Sequence, residues 1–211
     1  MKEALLIVDV QNDFCPGGSL AVPEGDKVIP VLNKYIELFS SKKLPSKQAS
    51  SMLYLNFLDK KFNQNFAQAF SKSLVFASRD WHPKKTKHFK AFGGLWPEHC
   101  VQGTKGAEFH PDLKLPKGTI VLSKGMDPEE DSYSAFQAID SQGNDLLSLL
   151  KSLKVEELYV GGLATDYCVK ATVVDALKHG FRVRLLADAI RGVNQKNSHQ
   201  AIEEMLKEGV K

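Results

Sequence analysis

Five short apolar runs punctuate the chain: ALLIVDV (4–10), LVFASRD (74–80), TIVLSKG (119–125), ELYVGGL (157–163) and RVRLLADA (182–189). They are rich in Val, Ile and Leu and nearly continuous rather than alternating, which predicts strands covered on both faces. Amphipathic stretches lie between and after them, at 26–41, 144–153, 166–179 and 195–208. In 166–179, Val169, Thr172, Val173, Ala176 and Leu177 recur at helical spacing, and Gly180 supplies a stop signal. The order β, α, β, β, α, β, α, β, α predicts an α/β fold with a doubly wound, mostly parallel sheet and helices on both faces. Such sheets place their sites beyond the carboxyl ends of the strands.

Residues capable of chemistry sit where the runs stop. The first ends at Asp9, the second at Asp80 with His82 just beyond, the third at Lys124, and the fourth opens into the helix that carries Cys168. Each has an ordinary reading alone: a carboxylate ending a strand is often a turn former or cap, a lysine a solvated end, a cysteine a core residue. An acid, a lysine and a thiol converging on one edge of one sheet argue for a shared task. With Thr165 as N-cap, Cys168 falls in the first helical turn, where unpaired N–H groups and a neighbouring Lys124 favour a thiolate. Asp9 is then placed to take the thiol proton and return it to a leaving group. Asp80 and His82, two apart, project to one side of an extended segment as metal ligands do; the bland alternative pairs Asp80 with Arg79 or a lysine.

Composition narrows the picture. A chain of 211 residues with 43% hydrophobic residues fills one core, so one domain spanning 1–211 is expected. The net charge of +3 is spread without basic runs, which argues against a nucleic-acid partner. The N-terminal run turns polar at QNDF, so neither a signal peptide nor a spanning segment is expected, no membrane partner is implied, and a cytoplasmic location follows. Cys15, Cys100 and Cys168, three and widely spaced, do not read as a disulfide scaffold. Cys100 follows no strand and heads no evident helix, so it and Cys15 read as packing residues.

Over nearly the whole chain these segments resemble the cysteine hydrolases of the isochorismatase-like fold, and within them the nicotinamidases. LLIVDVQNDFCPGGSLAV looks like their first strand and loop, SRDWHP and LWPEHCVQGTKGAEFHP their metal segments, LSKG the lysine strand and GGLATDYCVKATVVDAL the nucleophile turn. The resemblance implies a triad of Asp9, Lys124 and Cys168 and an oxyanion hole from the N–H groups of Ala164 and Cys168, beside a cis Leu163–Ala164 peptide. It implies one divalent metal, zinc first with iron or manganese as alternatives, held by Asp80, His82 and His99, with His88 as a further candidate ligand. The implied substrate is nicotinamide, hydrolysed to nicotinate and ammonia in NAD salvage, with Phe14, Trp96 and Tyr133 lining the ring pocket; Phe136 reads equally well as core. Other readings are an amidase for a different small carboxamide or ureido compound, a nicotinamide-binding protein without turnover, and a hydrolase using metal-bound hydroxide.

The chain departs from the family pattern at about 42–73, where about 25 residues exceed the usual loop length and look like an insertion. Phe62, Phe66 and Phe70 recur at i, i+4 and i+8, an apolar stripe on a short helix. A helix laid on its own domain, at the sheet edge far from Cys168, is favoured over a homo-oligomer contact or a lid.

Overall fold

The computed structural model describes residues 2–40 and 74–211. The expected insertion at 42–73 lies outside the described residues. Strands β1 (Glu3–Val8), β2 (Val75–Asp80), β3 (Ile120–Lys124), β4 (Glu157–Leu163) and β5 (Arg182–Arg191) form one sheet in the order β3-β2-β1-β4-β5. Every neighbouring pair is parallel. The strand order reverses between β1 and β4, and at such a switch point the loops leave in opposite directions and open a crevice at the carboxyl ends.

Helices cover both faces. On one face α1 (Val28–Ser40) sets Ile29, Leu32, Ile36 and Phe39 against Leu5, Ile7, Val75 and Ala77. On the other, α2 (Leu146–Ser152), α3 (Lys170–Lys178) and α4 (Gln195–Lys207) bring Leu150, Val173 and Met205 onto Leu6, Val8, Phe76 and Val160. This two-sided cover is why β1 is buried at all six positions and why its sequence does not alternate. Each such aliphatic side chain contributes about 1.5–3 kcal/mol by leaving water. Two of the helices start where short polar side chains replace missing backbone acceptors: Asp145 accepts from Ser148 N–H at 2.8 Å, and Asn194 from Asn197 N–H at 3.0 Å. Among the described residues no helix is long and apolar enough to cross a membrane.

Three local differences from the sequence reading bear on the site. The first strand stops at Val8 rather than at residue 10, because Asp9 turns into the left-handed region at φ 50°. The stretch beginning at residue 26 opens as a 3-10 turn, Gly25–Lys27, before α1. Thr165 is not an N-cap: that position is Ala164, with no side-chain cap bond, and Thr165–Val169 is a π-helical turn running into α3. Val169 N–H reaches back to Ala164 O at 3.1 Å to close it. Isolated π turns of this kind recur at functional sites, where they re-aim one side chain. Gly162 makes the approach to this turn sterically feasible, since with φ 129° any Cβ there would lie 2.0 Å from Val8 O.

Candidate active site

The left-handed turn at Asp9, the last residues of β2 and β3, and the π turn after β4 converge on one buried cluster. Lys124 is at its centre. Its Nζ lies 3.0 Å from Asp9 Oδ2 and 3.5 Å from Cys168 Sγ, donates to Ser132 O at 3.3 Å, and pairs with Asp80 Oδ1. Asp9, Asp80 and Cys168 are all buried, with one ligand-type atom of each within 4.8 Å of the others. The parallel register Asp80↔Lys124 puts these two side chains on the same face, and that is why a carboxylate and an ammonium from neighbouring strands meet.

Burial acts on every charge here. It pushes the Cys168 thiol well above the ordinary cysteine value; Lys124 pulls the other way, while Asp9 and Asp80 add to the rise. Burial and the two carboxylates therefore oppose the thiolate that a helix start and a lysine alone would favour, so a proton acceptor beside the sulfur matters. Burial likewise raises Asp9, against opposing pulls from Lys124 and the Ser78 hydroxyl. A carboxylate of raised basicity beside a protonated thiol suits transfer between them. Lys124 loses from burial but gains more from Asp80, Asp9 and Cys168, and stays an ammonium. Cys100 and Cys15 are raised chiefly by burial, Cys15 to about 11, and both are buried thiols in keeping with packing.

Asp80 faces two ways. Oδ1 meets Lys124, and Oδ2 lies 3.6 Å from His82 Nε2 and 3.8 Å from His99 Nε2. Burial would raise its pKa, but Lys124, His82 and His99 outweigh it and hold the carboxyl well below the usual range. His82, His88 and His99 form a buried trio whose ring nitrogens come within 4.8 Å of one another, so the structure brings His88 into the set. His82 Nδ1 donates to Gly125 O at 3.0 Å and His99 Nδ1 to Pro97 O at 2.7 Å, while His88 Nδ1 pairs with Asp131. A carbonyl can only accept, so in His82 and His99 the proton sits on Nδ1 and the Nε2 lone pair is free. Burial lowers His99 to about 4, which keeps the ring neutral. His82 Nε2 is buried without a hydrogen-bond partner, the kind of orphan that a cation resolves. Three imidazoles and one carboxylate fit a divalent metal. Gly125 contributes by absence, since a Cβ there would stand 2.4 Å from His82 Cε1.

A cleft opens over this cluster, lined by Asp80, His88, His99 and Cys168. Phe14, Trp96 and Tyr133, the three aromatics singled out from the sequence, all line it. Trp96 Nε1 donates to Tyr133 Oη at 3.0 Å, tying two loops across the mouth. Tyr167 was not anticipated as a wall; its ring stands edge-on to Trp96 at 4.9 Å, and its place beside Cys168 was the available signal. Leu20 and Val193 line it as well, and nothing local in the sequence marks them. Ala164 borders the cleft and follows a cis Leu163–Ala164 peptide. Phe136 is not part of the cleft; it packs on the core near Phe181.

Fold and site together define a single-domain α/β protein that gathers a thiol, a lysine and two carboxylates at the carboxyl edge of a parallel sheet. Residues 3–211 match the Isochorismatase domain. The chain is 38% identical to a nicotinamidase of Escherichia coli, over 95% of this chain and 89% of that one, and 36% identical to a nicotinamidase/pyrazinamidase of Mycobacterium tuberculosis, over 96% and 93%. It superposes on the pyrazinamidase of Pyrococcus horikoshii in complex with zinc with a TM-score of 0.77 at 42% identity, covering 100% of this chain and 98% of that one. The chain belongs to the isochorismatase family.

Proposed function

We propose that this protein is a nicotinamidase, converting nicotinamide to nicotinate and ammonia, with pyrazinamide-like ring carboxamides as further substrates. The observation that carries the reading is Lys124 Nζ in contact with Asp9, Asp80 and Cys168 at once, beneath an aromatic-walled cleft. The names of the relatives support the same substrate class.

Asp9 takes the Cys168 proton as sulfur attacks the carboxamide carbon. The carbonyl π pair moves onto oxygen, and the N–H groups of Ala164 and Cys168 hold that oxyanion. Asp9 passes its proton to the nitrogen, the C–N bond breaks, ammonia leaves and a thioester remains. Asp9 then takes a proton from water as its oxygen adds to the thioester carbon, the C–S bond breaks, Asp9 gives that proton to sulfur, and the nicotinic acid released ionises to nicotinate. Lys124 keeps Asp9 and the developing thiolate in one field throughout. Burial disfavours a preformed thiolate, which suits removal of the proton by Asp9 as sulfur attacks.

Asp80, His82, His88 and His99 would hold the metal, zinc in the first place with iron or manganese as alternatives. When bound it supplies a Lewis-acid anchor for the ring nitrogen, orienting the substrate. Phe14, Trp96, Tyr133 and Tyr167 grip the flat ring. The free, buried state of all three cysteines supports a reducing, cytoplasmic setting, in which the reaction serves NAD salvage.

The deciding experiment is ammonia release from nicotinamide by wild type and Cys168→Ala, with metal content measured in both. Loss of turnover with metal retained is the expected result. Turnover preserved in Cys168→Ala would replace the thiol with metal-bound hydroxide as nucleophile. An inactive wild type that still binds nicotinamide would make it a binding protein.

A further inference from the structure

β1 and β2 run in register from Leu5↔Val75 to Val8↔Ser78, and Asp9 N–H to Ser78 O at 3.2 Å is the last backbone bond between them. At Asp9 the chain leaves the sheet through its left-handed turn. Alternate residues of a strand direct both N–H and C=O to the same neighbour. Those of Asp80, two residues beyond Ser78, therefore still face the line of β1, where no backbone remains. Asp80 is buried, and both groups would be orphans there.

The side chain of Gln11, itself fully buried, fills the gap. Asp80 N–H donates to Gln11 Oε1 at 2.8 Å, and Gln11 Nε2 donates back to Asp80 O at 2.8 Å. Its second amide hydrogen reaches Ala107 O at 2.9 Å, on the loop that follows His99 and Cys100. A carboxamide offers the same donor and acceptor as a peptide group, so Gln11 extends the β1 ladder by one step with a side chain. An N–H can only donate, which fixes the orientation of the amide. Leucine or methionine here would orphan three peptide groups, glutamate would set a carboxylate oxygen against two carbonyls, and asparagine falls one methylene short.

We infer that Gln11 is a positioning residue, whose carboxamide fixes the backbone of Asp80, and so the aim of its carboxylate, while Asp9 is released from the sheet to face Cys168. Two demands that a continuous strand would set against each other are thereby met: β1 must end early to aim Asp9, and β2 must stay ordered two residues longer to aim Asp80. The inference rests on the reading of Asp80 as a metal ligand.

The test is a zinc titration of metal-stripped protein in competition with a chromogenic chelator, applied to wild type, Gln11→Met, Asp80→Ala and Leu150→Ala. Leu150 is a buried α2 residue of the core, and its truncation destabilises without touching the site. Gln11→Met is expected to weaken zinc binding roughly 10- to 100-fold, as loss of an outer partner of a ligand does, and to raise KM for nicotinamide more than it lowers kcat. Leu150→Ala is expected to keep wild-type zinc affinity. Gln11→Met binding zinc as tightly as wild type, while Asp80→Ala does not, overturns the inference alone. Wild-type affinity in Asp80→Ala overturns the ligand reading beneath it. Equal losses in Gln11→Met and Leu150→Ala reduce Gln11 to a general contributor to stability. If Gln11→Met does not fold, Gln11→Asn carries the same titration with the same outcomes.

Discussion

Ser78 donates its hydroxyl to Oδ1 of Asp9 at 2.7 Å, across the β1–β2 junction, and leaves Oδ2 to face Lys124 at 3.0 Å. The two oxygens of one carboxylate are thus separated: one is anchored in the sheet, and the other points to the ammonium and the thiol side. Ser78 is fully buried, so no water competes for the anchor. The arrangement follows from the register, because Val8↔Ser78 is the last paired rung before Asp9 turns away.

Ser78→Ala should therefore lower kcat for nicotinamide roughly 10- to 100-fold, in line with about 1.5–3 kcal/mol for a hydrogen bond to a charged group, with KM nearly unchanged. Ser78→Thr, which keeps the hydroxyl, should recover most of the loss. Steady-state ammonia release reads both parameters. A wild-type kcat in Ser78→Ala would mean that Asp9 needs no anchor.

Lys124→Met removes the cation that Asp9 and Asp80 share, leaving two buried carboxylates facing each other. Breaking a buried pair from one side costs about 3–5 kcal/mol, and the same lysine is the group that opposes the rise of the Cys168 thiol. Both stability to urea and turnover should fall. If the unfolding free energy stayed within about 1 kcal/mol of wild type, the carboxylates would have another source of compensation.

Asp80→Ala and His99→Ala should each lose most of the bound metal and act mainly on KM, since the metal is assigned to holding the ring. Elemental analysis alongside kinetics checks both halves. Full metal occupancy in both variants would remove these residues from the ligand set. His88→Ala should weaken binding similarly, because its ring nitrogen completes the buried trio.

The groups that mark the site from sequence are those whose chemistry is uncommon at a strand end. Asp9, Asp80, Lys124 and Cys168 interrupt apolar runs where a parallel sheet opens its crevice, so topology alone gathers them. The groups that order them are not legible in the same way. Ser78 reads as an ordinary small residue inside a strand, and Gln11 as loop polarity; their roles depend on the rung Val8↔Ser78 and on a left-handed turn at an aspartate, neither of which periodicity encodes. The surroundings of Cys168 are hidden for a related reason. The start of a helix is local, whereas the lysine, the two carboxylates and the burial that act on the thiol come from strands far away in the chain. Glu3 escaped notice because a charged residue near a terminus looks solvent-exposed, yet the sheet buries it.

Glu3 leads to a pH prediction separate from the site. It is the register partner of Glu157 on the adjoining strand; both are buried, and Arg184 Nε binds Glu157 Oε1 at 2.9 Å. Burial, then repulsion from Glu157, raises the Glu3 carboxyl from 4.5 to about 7, with Arg184 opposing. Between these two values the folded chain keeps a proton that the unfolded chain has already lost. The folded state binds more protons, so unfolding free energy falls as pH rises through that window, by at most about 3 kcal/mol. Below 4.5 both states are protonated and the penalty vanishes; above 7 it is fully present. Glu3→Gln keeps the shape of the protonated acid without the ionisation. It should match wild type near pH 4.5 and exceed it at pH 8, with the difference growing between them. Urea denaturation at a series of pH values gives that difference, because titrating groups that do not touch Glu3 cancel between the two proteins. A constant difference across the series would show that Glu3 ionises in the folded protein as it does in the unfolded chain.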